Sequence, residues 1–289
     1  MVARTNYRTP ISRTTLIAIF VALTAALVAR SVLQVQLLKD GFQSHLAADL
    51  SYLVVPVVMS CLLFPLWRTE RPFLAAQLSL SALTWRLVIR ALAIGLLLRL
   101  TWWCQLIAGT SFGIYQSTDS SANVGPVFSF QCASPAIVVL GLIVMTILVP
   151  LIEEVVNRAY VLSTLRRHGI LVAILGSALI FAIFHKQSTW AFAFFAGVVL
   201  GLQYWSTSSL WPPLVSHATV NGLILIDWRC LSGQWNPRLE DLPVLQPGLI
   251  AIGLGVICLG ILFVILRKMA TGAHMPRQPS TTALPRHAQ

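Results

Sequence analysis

Long apolar segments recur along this 289-residue chain, and they constrain its fold more than any other feature. Hydrophobic residues make up 57% of the sequence, charged residues make up 10%, and the mean hydropathy is +0.79. A run of about 20 apolar residues can cross a bilayer as an α-helix. We therefore predict an all-α polytopic membrane protein with about eight transmembrane helices around a polar cavity. The predicted spans are residues 15–35, 48–67, 87–107, 135–165, 169–185, 190–205, 209–228 and 247–266.

Basic residues stand mainly at the ends of these segments. The net charge is +11, but no stripe of Lys and Arg follows the spacing of a phosphate backbone, so we expect no nucleic-acid partner. With the N-terminus inside, most Lys and Arg residues fall on the cytoplasmic side, as the positive-inside rule requires. We expect a multi-pass protein of a bacterial inner (plasma) membrane, in contact with lipid and with both termini cytoplasmic. Residues 1–269 should form the integral membrane domain, with a motif core at 135–228, and residues 270–289 a disordered cytoplasmic tail.

Two adjacent carboxylates interrupt the fourth predicted span. Glu153 and Glu154 follow an apolar stretch, residues 136–152, that contains no charged side chain. An ionised carboxylate in lipid costs at least a few kcal/mol, so such residues usually face a protein-lined interior where they carry out chemistry or transport. The pair therefore predicts a buried polar site.

Helix geometry brings a histidine to the depth of this pair. The fourth and fifth spans are predicted to form a hairpin that turns at His168 and Gly169. Glu153 precedes the turn by about as many residues as His185 follows it, so both lie roughly 23 Å from the turn. Residues four apart lie on one face of a helix. This spacing joins Glu154 to Arg158, Glu153 to Asn157, Phe181 to His185, and His217 to Asn221.

Each polar residue also has a purely structural interpretation. Glu154 and Arg158 can form an ion pair that offsets the cost of burial, which leaves Glu153 to point elsewhere. A histidine at a span end can be interfacial, and His217 with Asn221 can provide hydrogen bonds between helices. For Arg99, in the third span, a side chain reaching to the membrane surface and a site role are both open. The coincidence of these groups on three helices favours one shared site.

Three ordered motifs resemble those of a known family. Glu153-Glu154-Val-Val-Asn-Arg158, Phe181-Ala-Ile-Phe-His185 and His217-Ala-Thr-Val-Asn221 are similar to the EExxxR, FxxxH and HxxxN motifs of the CPBP family. That family comprises intramembrane proteases and includes the type II CAAX prenyl endopeptidases. Asn157 and Ala159 stand where the family often has an aromatic residue and a glycine.

The resemblance implies a glutamate-dependent intramembrane endopeptidase that cuts a membrane-associated protein or peptide and needs no cofactor. It implies that Glu153 is the general base and that His185 helps it to hold and activate a water molecule. His217 and Asn221 would stabilise the oxyanion that forms as water attacks the peptide carbonyl. The supporting residues would be Glu154, Arg158 and Phe181.

Two other functions remain open. The first is a zinc-dependent membrane protease with Glu153, His185 and His217 as metal ligands and water in the fourth position. The second is a non-enzymatic membrane protein, either a transporter or a CPBP-type immunity or scaffold protein. Transporters also use buried carboxylates and histidines, but they often have matching helix breaks in two repeats, and this chain has none.

Overall fold

A computed structural model describes residues 13–42, 44–112, 114, 135–185, 189–223 and 246–272. Every regular element in these ranges is helical, so the predicted all-α class is confirmed. Parts of the predictions lie outside the described residues: most of the connection between the third and fourth spans (residues 108–134), the end of the seventh span and nearly all of the C-terminal tail.

The first half of the chain forms five helices and one short turn of 3₁₀-helix. The predicted second span is divided at Leu53 into two helices, although the two run on as one apolar stretch. The helices are α1 (Arg13–Lys39), α2 (Ser44–Tyr52), α3 (Val54–Thr69), α4 (Arg71–Gln77) and α5 (Trp85–Ser111), with the 3₁₀ turn at Leu80–Ala82.

The fourth predicted span is one continuous helix, α6, over residues 135–165, but it is not a regular α-helix. Its α-helical parts alternate with two π-helical parts, in which the backbone bonds from i to i+5. Such local widening occurs frequently at functional sites. The parts are Pro135–Leu142 (α), Ile143–Leu148 (π), Val149–Glu154 (α), Val155–Leu162 (π) and Ser163–Leu165 (α).

The predicted hairpin after α6 is confirmed. A 3₁₀ turn, Arg166–His168, leads to Gly169, whose φ of 98° is a backbone conformation that residues other than glycine rarely adopt. The chain then returns as α7. The remaining helices are α7 (Ile170–Ile183), α8 (Trp190–Thr207), α9 (Trp211–Gly222) and α10 (Gln246–Gly272).

Five of the described helical segments are long and apolar enough to cross a membrane, so the chain is a polytopic α-helical membrane protein. Helices α7, α8 and α9, which hold the fifth to seventh predicted spans, are shorter, at 14, 18 and 12 residues. The count of eight spans stays a prediction. The five segments are Thr14–Lys39, Leu46–Thr69, Trp85–Gly109, Val139–His168 and Gly248–Met269.

Two apolar clusters hold the helices together. One joins α1 and α3 to α6, α7 and α8, and the other joins α5 to α8, α9 and α10. Glycine permits the closest approaches: a Cβ at Gly197 would lie 2.9 Å from Cα of Ala178, and one at Gly95 would lie 2.6 Å from the carbonyl oxygen of Ser216. These contacts seat α8 on α7 and α9 on α5. Helix α6 is thus enclosed by helices from both halves of the chain.

Candidate active site

Glu154 is the more deeply buried of the two glutamates. It lies at the end of the central α-helical part of α6, with 1% of its surface exposed. Its Oε2 is 2.9 Å from Nε of Arg158, which is itself fully buried. The predicted ion pair is therefore confirmed. A buried charge is tolerated only when it is paired and hydrogen-bonded, and this carboxylate meets that condition.

His217, on α9, lies between the two carboxylates. Its Nδ1 is 2.9 Å from Oε1 of Glu154, and its Nε2 is 3.5 Å from Oε2 of Glu153. Because the ionised Glu154 can only accept a hydrogen bond, Nδ1 carries the proton. This bond fixes the ring orientation and directs Nε2 towards Glu153. The third sequence motif thus reaches the first one directly.

Glu153 and His185 line one cavity, which confirms that the fourth and fifth spans bring them to a common depth. The cavity has a volume of about 20 Å³, which is enough for a water molecule. Its apolar wall includes Leu23 and Leu27 of α1 and Val55 of α3. The Glu153 side chain is 23% exposed, unlike that of its neighbour Glu154, so it is the glutamate that solvent in the cavity can reach.

His185 follows the end of α7, and its ring is held by a backbone carbonyl group of that helix. Its Nδ1 lies 2.8 Å from the carbonyl oxygen of Phe181, so this nitrogen donates and Nε2 is left for the cavity. Nε1 of Trp190 donates to the carbonyl oxygen of His185 at 2.9 Å. The Phe181 ring lies 4.5 Å from the His185 ring and 5.6 Å from the His217 ring, centroid to centroid. Phe181 therefore packs against both imidazoles.

Asn221 lies one helical turn beyond His217 and makes a different contact. Its Nδ2 donates to the carbonyl oxygen of Met145 at 2.9 Å, two turns before Glu153 on α6. This bond ties α9 to the first π-helical part of α6. Among the described contacts, none joins Asn221 to Glu153, His185 or His217. The structure thus brings the other predicted site residues together and sets Asn221 at their edge.

Sequence reasoning missed Ser177, although it lies between the motifs in space. Nη1 of Arg158 donates to its Oγ at 2.8 Å, and that hydroxyl donates to the carbonyl oxygen of Asn157 at 3.0 Å. Ser177 therefore links α7 to α6 directly behind the ion pair. A signal was present in the sequence, because Ser177, Phe181 and His185 are spaced four apart and so share one face of α7.

A second missed group anchors the helix that carries His217. Oγ of Ser216 donates to the carbonyl oxygen of Ala91 at 2.7 Å, and Nε2 of Gln203 donates to the same hydroxyl at 2.9 Å. All of these groups are buried. The network joins α9 to α5 and α8 beside His217. It fixes the rotation of α9 about its axis and hence the direction of the His217 ring.

Arg99 is not part of this site. It lies well inside α5 with 2% of its surface exposed, and its guanidinium is 4.9 Å from the Trp103 ring. The possibility that it reaches the membrane surface from a span end is wrong, because α5 extends more than two turns beyond it in both directions. Among the described residues, none of the site residues contacts it.

The residues that the structure describes contain no group of three or more His, Cys, Asp or Glu side chains arranged to hold a metal ion. His217 and Glu153 are close to each other, and the Phe181 ring contacts the rings of both His185 and His217.

The fold and the site define a polytopic α-helical membrane protein with a Glu–His centre enclosed by its helices. Residues 134–223 match a known family, described as "Type II CAAX prenyl endopeptidase Rce1-like". The match spans all three sequence motifs, so the resemblance to the CPBP and CAAX-protease group is confirmed for this part of the chain, and it supports an intramembrane protease of the CAAX type. Comparisons with curated proteins and with solved structures gave no significant match.

Proposed function

We propose that this protein is an intramembrane endopeptidase that hydrolyses a peptide bond of a membrane-associated protein or peptide with a water molecule activated by Glu153. One observation carries the proposal: Glu153 and His185 share the wall of a water-sized cavity inside the protein, and Nε2 of His217 lies 3.5 Å from the Glu153 carboxylate. A carboxylate with two imidazoles near it is suited to general acid–base chemistry.

In the proposed reaction, Glu153 takes a proton from water as the water oxygen attacks the peptide carbonyl carbon. His185 helps to hold the water, and Glu153 returns the proton to the leaving amine when the C–N bond breaks. Asn221 supplies a hydrogen bond to the oxyanion, and His217 supplies another from Nε2 when both of its ring nitrogens carry a proton, an interaction that is strong where water is excluded. Asn221 has a second amide hydrogen besides the one donated to Met145.

Glu154 is proposed as a support and not as the base. Both of its oxygens are occupied, one by Arg158 and the other by His217. It therefore orients the His217 ring so that Nε2 faces Glu153. Phe181 and Arg158 complete this support, with the guanidinium carbon 5.4 Å from the ring centroid.

We propose that the reaction needs no metal, because no three His, Cys, Asp or Glu side chains among the described residues are arranged to hold one. Zinc is the alternative, and one observation favours it: both histidines donate Nδ1–H to an oxygen and leave Nε2 free, as metal-binding histidines usually do. Metal analysis of the purified protein decides between the two. Stoichiometric zinc, together with loss of activity in chelator, would replace this part of the proposal.

We further propose that the protein lies in a bacterial inner (plasma) membrane with both termini cytoplasmic. The proposal is supported by the excess of basic residues on the segments that would then face the cytoplasm. Reporter fusions at both termini test it, and a periplasmic signal from either end would contradict it.

The proposed activity is tested by replacing Glu153 with alanine in the full-length chain. We expect cleavage to fall by at least about 10²-fold, the usual contribution of a general base, while the protein still inserts. Comparing membrane proteomes of wild-type and Glu153→Ala cells identifies the truncated product. Asp40→Ala is the matched control, because Asp40 is an exposed carboxylate directly after α1 whose side chain accepts a hydrogen bond from Gln36. Normal processing by Glu153→Ala would favour the non-enzymatic alternative.

A further inference from the structure

Asn157 is a polar residue in the cavity wall for which neither the motifs nor the proposed mechanism has a role. It lies in the second π-helical part of α6, with 3% of its surface exposed, and it lines the same cavity as Glu153 and His185. Its Nδ2 donates to the carbonyl oxygen of Glu153 at 2.9 Å. Its Oδ1 is buried and has no hydrogen-bond partner among the described residues.

The orientation of this amide is determined by its neighbour. A carbonyl oxygen only accepts hydrogen bonds, so the end of the Asn157 amide that contacts the Glu153 carbonyl is the nitrogen. The amide oxygen is therefore the group without a protein partner. A buried acceptor left without a hydrogen bond is destabilising, and native proteins usually satisfy such a group with an ordered water. The cavity that Asn157 lines has room for one.

We propose that Asn157 is a further catalytic residue, whose Oδ1 accepts a hydrogen bond from the water molecule that Glu153 activates. This inference rests on the proposed function. Water has two O–H groups: one points to the Glu153 carboxylate and the other to Asn157, so His185 holds the water by packing against it and not through a hydrogen bond. Fixing both protons leaves an oxygen lone pair directed at the substrate carbonyl.

The proton and bond changes follow from this arrangement. The water oxygen forms a bond to the carbonyl carbon while its first proton moves to Glu153. The second O–H stays intact and remains hydrogen-bonded to Asn157. When the C–N bond breaks, Glu153 gives its proton to the amine, and the second O–H ends in the new carboxyl group. Asn157 gains and loses no proton, so a neutral amide is sufficient for this role.

The competing interpretation is that Asn157 serves only to satisfy the Glu153 carbonyl. The variant Asn157→Ser separates the two roles, because a serine hydroxyl can donate to the carbonyl four residues earlier, as Ser31 does to Leu27 in α1. Serine thus keeps the bond within the helix and withdraws the acceptor from the cavity. Asn157→Leu removes both groups.

The first experiment measures kcat and KM of full-length variants in detergent on a synthetic peptide that spans the cleavage site found by the membrane-proteome comparison. For Asn157→Ser we expect kcat to fall about tenfold or more, with KM and thermal stability close to wild type, because the lost hydrogen bond is made to water and not to the peptide. Gln36→Ser, which removes an amide from the exposed face of α1, should leave kcat unchanged.

The second experiment does not depend on activity. A crystal structure of the full chain should contain an ordered water within hydrogen-bonding distance of both Oδ1 of Asn157 and the Glu153 carboxylate, and Asn157→Leu should lack it. An unchanged kcat in Asn157→Ser, or a wild-type cavity without that water, overturns this inference alone. Cleavage by Glu153→Ala overturns the proposed function itself, so the two failures are distinct.

Discussion

Helices α6 and α10 are both long and apolar, yet α6 is packed among other helices and α10 is largely exposed. In the most apolar window of each, 44% of residues are buried for the segment that contains α6 and 17% for the segment that contains α10. Every residue of Val155–Leu162 in α6 is buried, whereas most of α10 is exposed or intermediate. The difference is that α6 carries Glu153, Glu154 and Arg158. Apolar length predicts that a helix enters the membrane, and buried charge determines which helix the others surround.

The largest effect should come from breaking the ion pair on α6. Arg158→Ala leaves Glu154 as an uncompensated charge at 1% exposure, so we expect a loss of about 3–5 kcal/mol of stability. Thermal unfolding in detergent, or the yield of folded protein, measures it. Replacing Glu154 should have an effect of similar size, since it leaves the buried Arg158 guanidinium without its carboxylate partner.

Arg86→Ala is the control for this comparison. Arg86 is also a cation near an aromatic ring, 5.7 Å from Trp85, but it is exposed at the start of α5. Its replacement should change stability by less than about 0.5 kcal/mol. Equal losses in the two arginine variants would contradict the view that burial of charge distinguishes α6.

A smaller effect should come from glycines that differ only in their surroundings. A Cβ at Gly197 would meet backbone of Ala178 at 2.9 Å, so Gly197→Ala must push α8 away from α7, at a loss of about 1–3 kcal/mol. At Gly260 of α10 nothing lies within 4 Å of the added Cβ. Gly260→Ala should therefore be neutral or slightly stabilising, because alanine favours a helix. Thermal unfolding of the two variants side by side tests the pair, and a tolerated Gly197→Ala would sink the close-approach argument.

The smallest effect in this series should follow the loss of one buried hydroxyl. Ser177→Ala removes the acceptor of Arg158 Nη1 and the donor to the Asn157 carbonyl, and we expect a loss of about 1–2 kcal/mol. Ser31→Ala removes an exposed hydroxyl on α1 and should change almost nothing. The melting temperatures of both variants give the comparison. If Ser177→Ala leaves the melting temperature unchanged, apolar packing alone would account for the stability of the contact between α6 and α7.

Sequence periodicity predicted the helices and the polar faces well. All eight apolar segments are largely helical where they are described, the turn at Gly169 lies at the predicted position, and Glu154 pairs with Arg158. These features depend on local composition and on the spacing of residues along one helix. Such information is present in the sequence itself.

Features that depend on contacts between helices were less predictable. Nothing in the spacing of residues indicated that Nε2 of His217 lies near Glu153, or that Asn221 bonds to the Met145 carbonyl. The site role left open for Arg99 was not realised either. Its polarity was visible in the sequence, but its neighbours were not. The free amide oxygen of Asn157 is visible only when the whole cavity wall is assembled.

The π-helical stretches of α6 make chain length itself a determinant of the chemistry. Each such stretch takes up residues beyond those that a regular α-helix of equal rise would use. Deleting a single residue between Glu154 and Arg158 would relieve part of that surplus, yet it would turn Arg158 by about 100° around the axis relative to Glu154. Point substitutions would therefore change the geometry of the Glu–His centre in small steps, whereas an insertion or deletion in that stretch would move its residues out of contact at once.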